Sequence, residues 1–282
     1  MENFCIITNS DKDYKYELAN SIKEKLVKMN KNCLILPNIL NENDGEAHYT
    51  DTSLIEEGTE CAIILGGDGT VIQAAIDLAE VNIPMLALNN GTVGYLTEYD
   101  VSEAENALKK LNDGDYTIEE RIMLKTDGVK LKGIYSLNDI VIFKRGRGRL
   151  ITVAVYANDR LMDKYCADGI IISTPTGSTG YNLSAGGPVM DPHTQATVVT
   201  PICPHALNKR SIVLDPSDKI RVEILKTKDN FIDNAVLISD GREVEYLVSG
   251  DSVNIVVPEN TTKLIKMSDE SFYERMRQKM IL

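Results

Sequence analysis

The chain has 282 residues, 43% of them hydrophobic, and carries a formal net charge of −12 at pH 7. That length fills one large domain or two modest ones. An acidic chain is a poor partner for nucleic acid or anionic membranes, and no apolar run approaches the roughly 20 residues that cross a bilayer.

The first residues, Met1 to Ile7, show no basic segment followed by a long apolar one, so no signal peptide is predicted. Cys5, Cys33, Cys61, Cys166 and Cys203 are odd in number, widely spaced and form no CxxC pair. That usage fits reduced thiols better than a disulfide frame or a zinc site. The expectation is a soluble, cytoplasmic protein with no nucleic-acid and no membrane partner.

Phe4 to Thr8 reads as a short apolar strand. Asp13 to Met29 has helical spacing, with Leu18, Ile22, Leu26 and Met29 on one face. Cys33 to Pro37 is the next strand, and Asn41 to Thr52 is a polar loop. Cys61 to Leu65 is a buried strand, followed by Gly66-Gly67-Asp68-Gly69-Thr70 and a helix-like run to Glu80. Pro84 to Leu88 is another strand, running into a second glycine-punctuated loop from Asn89 to Leu96. This alternation predicts a parallel, doubly wound, Rossmann-like sheet over residues 1–100. Ligands of such sheets sit at the carboxyl ends of the strands, where both glycine loops fall.

Ser102 to Leu111 reads as a connecting helix. Gly133 to Phe143, Leu150 to Tyr156, Asp168 to Ser173, Ala196 to Pro201, Lys219 to Leu225, Ala235 to Ser239 and Ser252 to Val257 then read as strands. Turn signals at Asn158-Asp159, Asp215-Pro216 and Asp240-Gly241 separate them. Residues 101–268 are therefore expected to form a mostly β, sandwich-like domain. The charged helical tail 269–282 is expected to pack back on the first domain.

Glycines let backbone N–H groups approach a phosphate closely. A pure anion cradle would avoid a carboxylate, so Asp68 in the first glycine turn suggests proton transfer or metal holding. The run from Asp168 to Ser184 ends an apolar strand in five hydroxyl residues with glycines and a proline. It suits a ligand rich in hydroxyls, or Ser178 or Thr179 could cap a helix. Asn138-Asp139 interrupts an apolar strand, as a ligand contact or as a bulge or strand-end turn. Lys144 to Arg149 holds four cations in six residues and reads mainly as a solvated turn. One member could still hold phosphate. His205, in a double-proline turn, reads as a structural imidazole or a base; His48 and His193 make no metal-ligand spacing with it.

Taken together these motifs resemble the NAD kinase family, from Ile6 to about Val257. The motifs are Gly66 to Thr70, Asn89 to Leu96, Asn138-Asp139, Asp168 to Ser184, Gly186-Gly187-Pro188-Val189 and Pro201 to Leu207. The resemblance implies transfer of the γ-phosphoryl group of ATP to the adenosine 2′-hydroxyl of NAD, with Mg²⁺, by a homo-oligomer, often a tetramer. Asp68 matches the proton acceptor. Gly69, Asn138, Asp139, Cys166, Asp168, Thr176, Thr179, Gly180, Tyr181, Asn182, Leu183 and Ser184 match dinucleotide-binding positions. Arg149 matches a basic contact, and Arg242 falls where the family often has Gln. Gly180, Cys166 and Asp139 stand where members commonly carry Ala, a basic residue and Glu. The implied arrangement lays NAD across a cleft between the domains, with Asp68 as base.

Two alternatives differ in class. Another kinase with this glycine turn would act on a lipid or sugar, and a non-enzymatic sensor would bind NAD without forming NADP. The phosphoryl donor, ATP or polyphosphate, is left open.

Overall fold

The computed structural model describes residues 1–9, 12–37, 50–91, 94–127, 133–146, 149–206, 209–226, 234–268 and 270–280. Two compact units emerge, Met1–Glu120 with Thr261–Leu282, and Arg121–Asn260. The boundary expected at residue 100 thus lies twenty residues later, and the chain re-enters the first unit before the expected tail.

Both shifts have a packing cause. In the first unit β1 (Asn3–Thr8), β2 (Asn32–Ile35), β3 (Cys61–Leu65), β4 (Met85–Asn89), β5 (Tyr99–Asp100) and β6 (Thr117–Arg121) share one sheet with the late strand Thr262–Lys266. The order is β2-β1-β3-β4, then Thr262–Lys266, then β6, with β5 also on β4. Pairings among β1 to β4, and of Thr262–Lys266 with β4, are parallel. The chain must therefore return to complete the sheet.

The helices α1 (Glu17–Lys28), α2 (Asp68–Asp77) and α3 (Ala104–Asp113) and the C-terminal helix Phe272–Met280 belong to the same unit. Ala19, Ile22 and Leu26 of α1 and Ala104, Ala107, Leu108 and Leu111 of α3 share a core with Cys61, Ile63 and Leu65 of β3. Ala62 and Ile64, on the other face of β3, are equally buried, as a parallel sheet covered on both sides requires. The Asp13 carboxylate accepts the Leu18 and Ala19 N–H groups at 2.8 and 3.1 Å, meeting donors that a helix start leaves unpaired.

The second unit carries β7 (Leu124–Asp127), β8 (Tyr135–Ser136), β9 (Asp139–Lys144), β10 (Ile151–Ala157), β11 (Arg160–Ala167), β12 (Gly169–Ser173), β13 (Thr197–Ile202), β14 (Ile212–Leu214), β15 (Ile220–Leu225), β16 (Asn234–Ser239), β17 (Arg242–Val248) and β18 (Ser252–Val256). They form two sheets, β11-β10-β15-β18-β7-β8 and β14-β13-β12-β9-β16-β17. Ile140, Ile142 and Ile170 of one sheet share a core with Val153, Val222 and Ile255 of the other, the face-to-face packing of a sandwich. Asn158 and Asp159 both take positive φ (48° and 62°) in the β10–β11 hairpin, as a primed two-residue turn demands. The strand expected from Gly133 to Phe143 is two, β8 and β9, broken at Leu137-Asn138.

Glu98 fastens the returning strand. Its carboxylate lies 2.9 Å from Lys266 Nζ and accepts the Met267 and Ser268 N–H groups at 2.9 and 2.7 Å. Burial alone would push its pKa up, but Lys266 and these donors outweigh it and hold the pKa low. Glu98→Ala is expected to cost about 3–5 kcal/mol, the usual loss when one partner of a buried ion pair is removed. In urea melts the wild-type advantage should be full above about pH 4.3, the ordinary Glu value. It should shrink as pH falls through the lower folded value.

Candidate active site

In the first unit, β3 ends at Leu65, and Gly67 caps the start of α2, whose first residue is Asp68. The half-buried Asp68 carboxylate accepts the Tyr95 N–H at 2.7 Å and the Leu96 N–H at 3.0 Å. The loop approaches this closely because residue 94 is glycine: a methyl group there would overlap the Asp68 carboxylate. Thr97 Oγ1 accepts the Gly94 N–H at 2.9 Å. Gly69, exposed beside Asp68, leaves the helix start open. A helix start of this kind carries the positive end of the helix dipole. Thr92 and Val93 lie outside the described residues.

In the second unit the Asn138-Asp139 stretch is pinned from two sides. The Asp240 carboxylate accepts the N–H groups of Leu137, Asn138 and Asp139 at 2.7, 2.9 and 2.9 Å. The Thr174 N–H donates to the Asn138 carbonyl at 2.9 Å, and Thr174 Oγ1 donates to the Leu137 carbonyl at 2.6 Å. Gly177 packs so near the Asn138 carbonyl that any side chain would strike it. Burial, and then the neighbouring Asp240, push the Asp139 carboxyl up to about 7. Burial pushes Asp240 up to about 6 against the pull of its three N–H groups and Arg242.

Asp168, between β11 and β12, pairs with Lys144 Nζ at 2.5 Å. The exposed Tyr181 has its hydroxyl pKa raised by burial of the hydroxyl, then by Cys203, Asp168 and Asp139. Those groups are near enough to act on the Tyr181 hydroxyl. Cys166 is exposed, and its carbonyl accepts the His205 N–H at 2.9 Å. Gly180, Leu183, Ser184 and Arg149 are exposed; Thr176, Thr179 and Arg242 are half-buried.

The hydroxyl run is less open than its sequence suggests. Ser173, Thr174 and Ser178 are buried, and their hydroxyls bond backbone groups. No side-chain cap forms; Gly180 precedes the short helical turn Tyr181–Ser184. Asn182, expected at a ligand, is wholly buried. Its amide donates to the Ser178 and Pro188 carbonyls and accepts from Thr200 Oγ1, so it acts as a strut beneath the turn. His205 is exposed and His193 bonds Asp191. His48, Arg147, Gly148 and Leu207 lie outside the described residues.

Three contributors escaped the sequence reading. Asp240-Gly241 was legible only as a turn; its positive φ values (45° and 82°) fit the same primed hairpin geometry, and its carboxylate reaches back to hold Asn138. Lys144 was absorbed into a run expected to be solvated. Arg121, only 6% exposed, donates from Nη1 to Thr176 Oγ1 at 3.2 Å, and no pattern in the sequence marks it.

The sequence model described as the ATP-NAD kinase N-terminal domain matches residues 4–116, and that of the ATP-NAD kinase C-terminal domain matches residues 137–267. Among curated relatives, the NAD kinase of Lachnoclostridium phytofermentans is 39% identical, covering 99% of each chain. That of Lachnospira eligens is 40% identical, covering 99% of this chain and 100% of its own. Yeast NADH kinase, solved with NADH, shares the fold at a TM-score of 0.83 and 22% identity, covering 100% of this chain and 87% of the other. The NAD kinase of Archaeoglobus fulgidus, solved with ATP, does so at 0.73 and 23% identity, covering 99% and 98%. The match spans both units and nearly the whole length, so the chain belongs to the ATP-NAD kinase family.

Proposed function

We propose that this chain is an NAD kinase, moving the γ-phosphoryl group of ATP to the 2′-hydroxyl of the adenosine ribose of NAD to give NADP and ADP. The observation that carries the chemistry is the Asp68 carboxylate, fixed at the start of α2 by two backbone N–H groups. A carboxylate offers about four acceptor positions, so two are left to receive a proton from a sugar hydroxyl. A sugar hydroxyl is a weak acid; a positioned base taking its proton as the new P–O bond forms contributes roughly 10²- to 10⁴-fold. The glycine turn and helix start favour the triphosphate nearby.

In the second unit dinucleotide recognition falls to Asn138, Asp139, Arg149, Cys166, Asp168, Thr176, Thr179, Gly180, Tyr181, Leu183, Ser184 and Arg242; in the first, Gly69 beside Asp68 is the matching position. Asn182 supports from beneath. The shared surroundings of Asp139, Asp168 and Tyr181 favour this reading. Among the described residues no three His, Cys, Asp or Glu side chains gather as a metal cage. By resemblance Mg²⁺ would come with ATP; Asp68 would be the carboxylate to hold it, and the ion would supply charge neutralisation of the triphosphate. Among the described residues no helix is long and apolar enough to cross a membrane. A cytoplasmic homo-oligomer, a tetramer by resemblance, completes the proposal.

The deciding assay supplies purified protein with NAD and Mg-ATP and reads NADP with an NADP-specific dehydrogenase. NADP should accumulate; tight NAD binding with none formed would leave a sensor instead. Polyphosphate in place of ATP tests the donor.

Asp68→Asn should lower kcat by about 10²-fold or more, with NAD affinity by calorimetry nearly unchanged. Gly94→Ala should act on the same group without removing it: the new methyl displaces the carboxylate from its N–H groups. A drop in kcat of about 10- to 100-fold is expected from such misplacement, with the thermal midpoint shifted little. Asp139 carries a pH signature. Its folded pKa, about 7, lies above the ordinary carboxyl value, so its burial is tolerated at low pH and destabilises as pH rises toward and past 7. Asp139→Asn should melt higher than wild type at pH 8, and the gap should close as pH falls toward about 4.

A further inference from the structure

The C-terminal helix Phe272–Met280 begins with a capping box: the Ser271 N–H donates to Glu274 Oε2 at 2.8 Å and the Glu274 N–H donates to Ser271 Oγ at 3.3 Å. One turn in stands Arg275, only 6% exposed. Its Nε and Nη2 donate to Glu270 Oε2 at 3.2 and 3.0 Å. Nη1 is thereby aimed at the second glycine loop, where it donates to the Tyr95 and Thr97 carbonyls at 3.1 and 2.9 Å. Lys279 Nζ lies 5.6 Å above the Tyr95 ring, a second grip from the same helix.

The Tyr95 carbonyl and the Leu96 N–H belong to one peptide group. Arg275 holds its oxygen; its N–H donates to Asp68 Oδ1. A planar peptide cannot turn one end without the other, and a cation on its oxygen polarises its N–H toward a carboxylate. The guanidinium also fixes the Thr97 carbonyl, three residues along from Gly94, which Asp68 abuts.

We propose that Arg275 is a positioning residue for Asp68, acting through the Tyr95–Leu96 peptide, so that the far end of the chain sets the geometry of the base. This rests on the reading of Asp68 as base given above. A helix that merely covered the core would use an apolar side chain here. A buried guanidinium is expensive unless each donor is used, and Arg275 divides its donors between Glu270 and two loop carbonyls.

The test is a double-mutant cycle in the full-length protein. Arg275→Ala should lower kcat about 10- to 100-fold in the wild-type background, with the KM for NAD unchanged within about two-fold. In the Asp68→Asn background it should lower kcat by less than about two-fold, because the group it serves is already disabled. Equal losses in both backgrounds, or full kcat in Arg275→Ala, would overturn the proposal. Arg275→Lys keeps the cation but lacks the fork that spans Glu270 and two carbonyls, so it should fall between wild type and Arg275→Ala; it carries the cycle if the alanine variant does not fold. Amide hydrogen exchange at Tyr95 and Leu96 reads the link without turnover. Faster exchange there in the Arg275 variant is expected, and unchanged exchange would refute the relay. A wild-type protein that made no NADP would refute the kinase reading and leave this exchange result standing.

Discussion

Two peptide N–H groups on one carboxylate govern the first unit. Tyr95 and Leu96 can reach Asp68 only if residue 94 has no side chain, if the loop leaves β4 at the right angle, and if something holds the loop's far side. The far side is held by Met267 and Ser268, just after the late strand, and by Arg275 in the C-terminal helix. Glu98 clamps Met267 and Ser268, and Arg275 clamps Tyr95 and Thr97. The late strand Thr262–Lys266 beside β4 is what delivers both clamps. A chain that had finished its fold at the second unit would have the glycine turn but nothing to brace the loop against it.

The same device recurs, and it gives the acidity of the chain a structural reading. Asp13 receives Leu18 and Ala19, Glu98 receives Met267 and Ser268, and Asp240 receives Leu137, Asn138 and Asp139. Loops cannot pair all their N–H groups in ladders, and an unmet buried donor is costly. A carboxylate meets two or three at once, with bonds stronger than those of a neutral acceptor. Part of the negative charge is thus spent inside, fixing backbone.

Sequence legibility followed locality. Strands β1 to β4 of the first sheet could be read because parallel strands covered on both faces are continuous apolar runs, as Cys61 to Leu65 is. The expected doubly wound unit and β sandwich are both present, whereas β5, β6, β7 and β14 went unread, and so did β11 and β17. The last two are edge strands, with Leu161, Tyr246 and Val248 exposed, so solvent-facing residues blur the alternation. Thr262–Lys266 has strand composition but no signal of which sheet it joins. At the site, Asp68 stood out because a carboxylate in a glycine turn contradicts a plain anion cradle. Asp240 and Arg275 did not, because their partners lie 100 or more positions away in sequence. The hydroxyl run misled in the other direction: composition marks Ser173, Thr174 and Ser178 as polar, and only the fold turns their hydroxyls inward.

Asp139 is the opposite case to Asp68. Asp68 opens α2 and accepts two N–H groups; Asp139 opens β9, where burial and then Asp240 raise its pKa. Asp240 is met by three N–H groups, which pull its pKa back down against its own burial. A carboxyl whose charged form is disfavoured by burial lowers stability once it ionises. Opposite surroundings thus shape the two carboxyls: Asp139 is desolvated beside a second acid, and Asp68 is held by two backbone N–H groups.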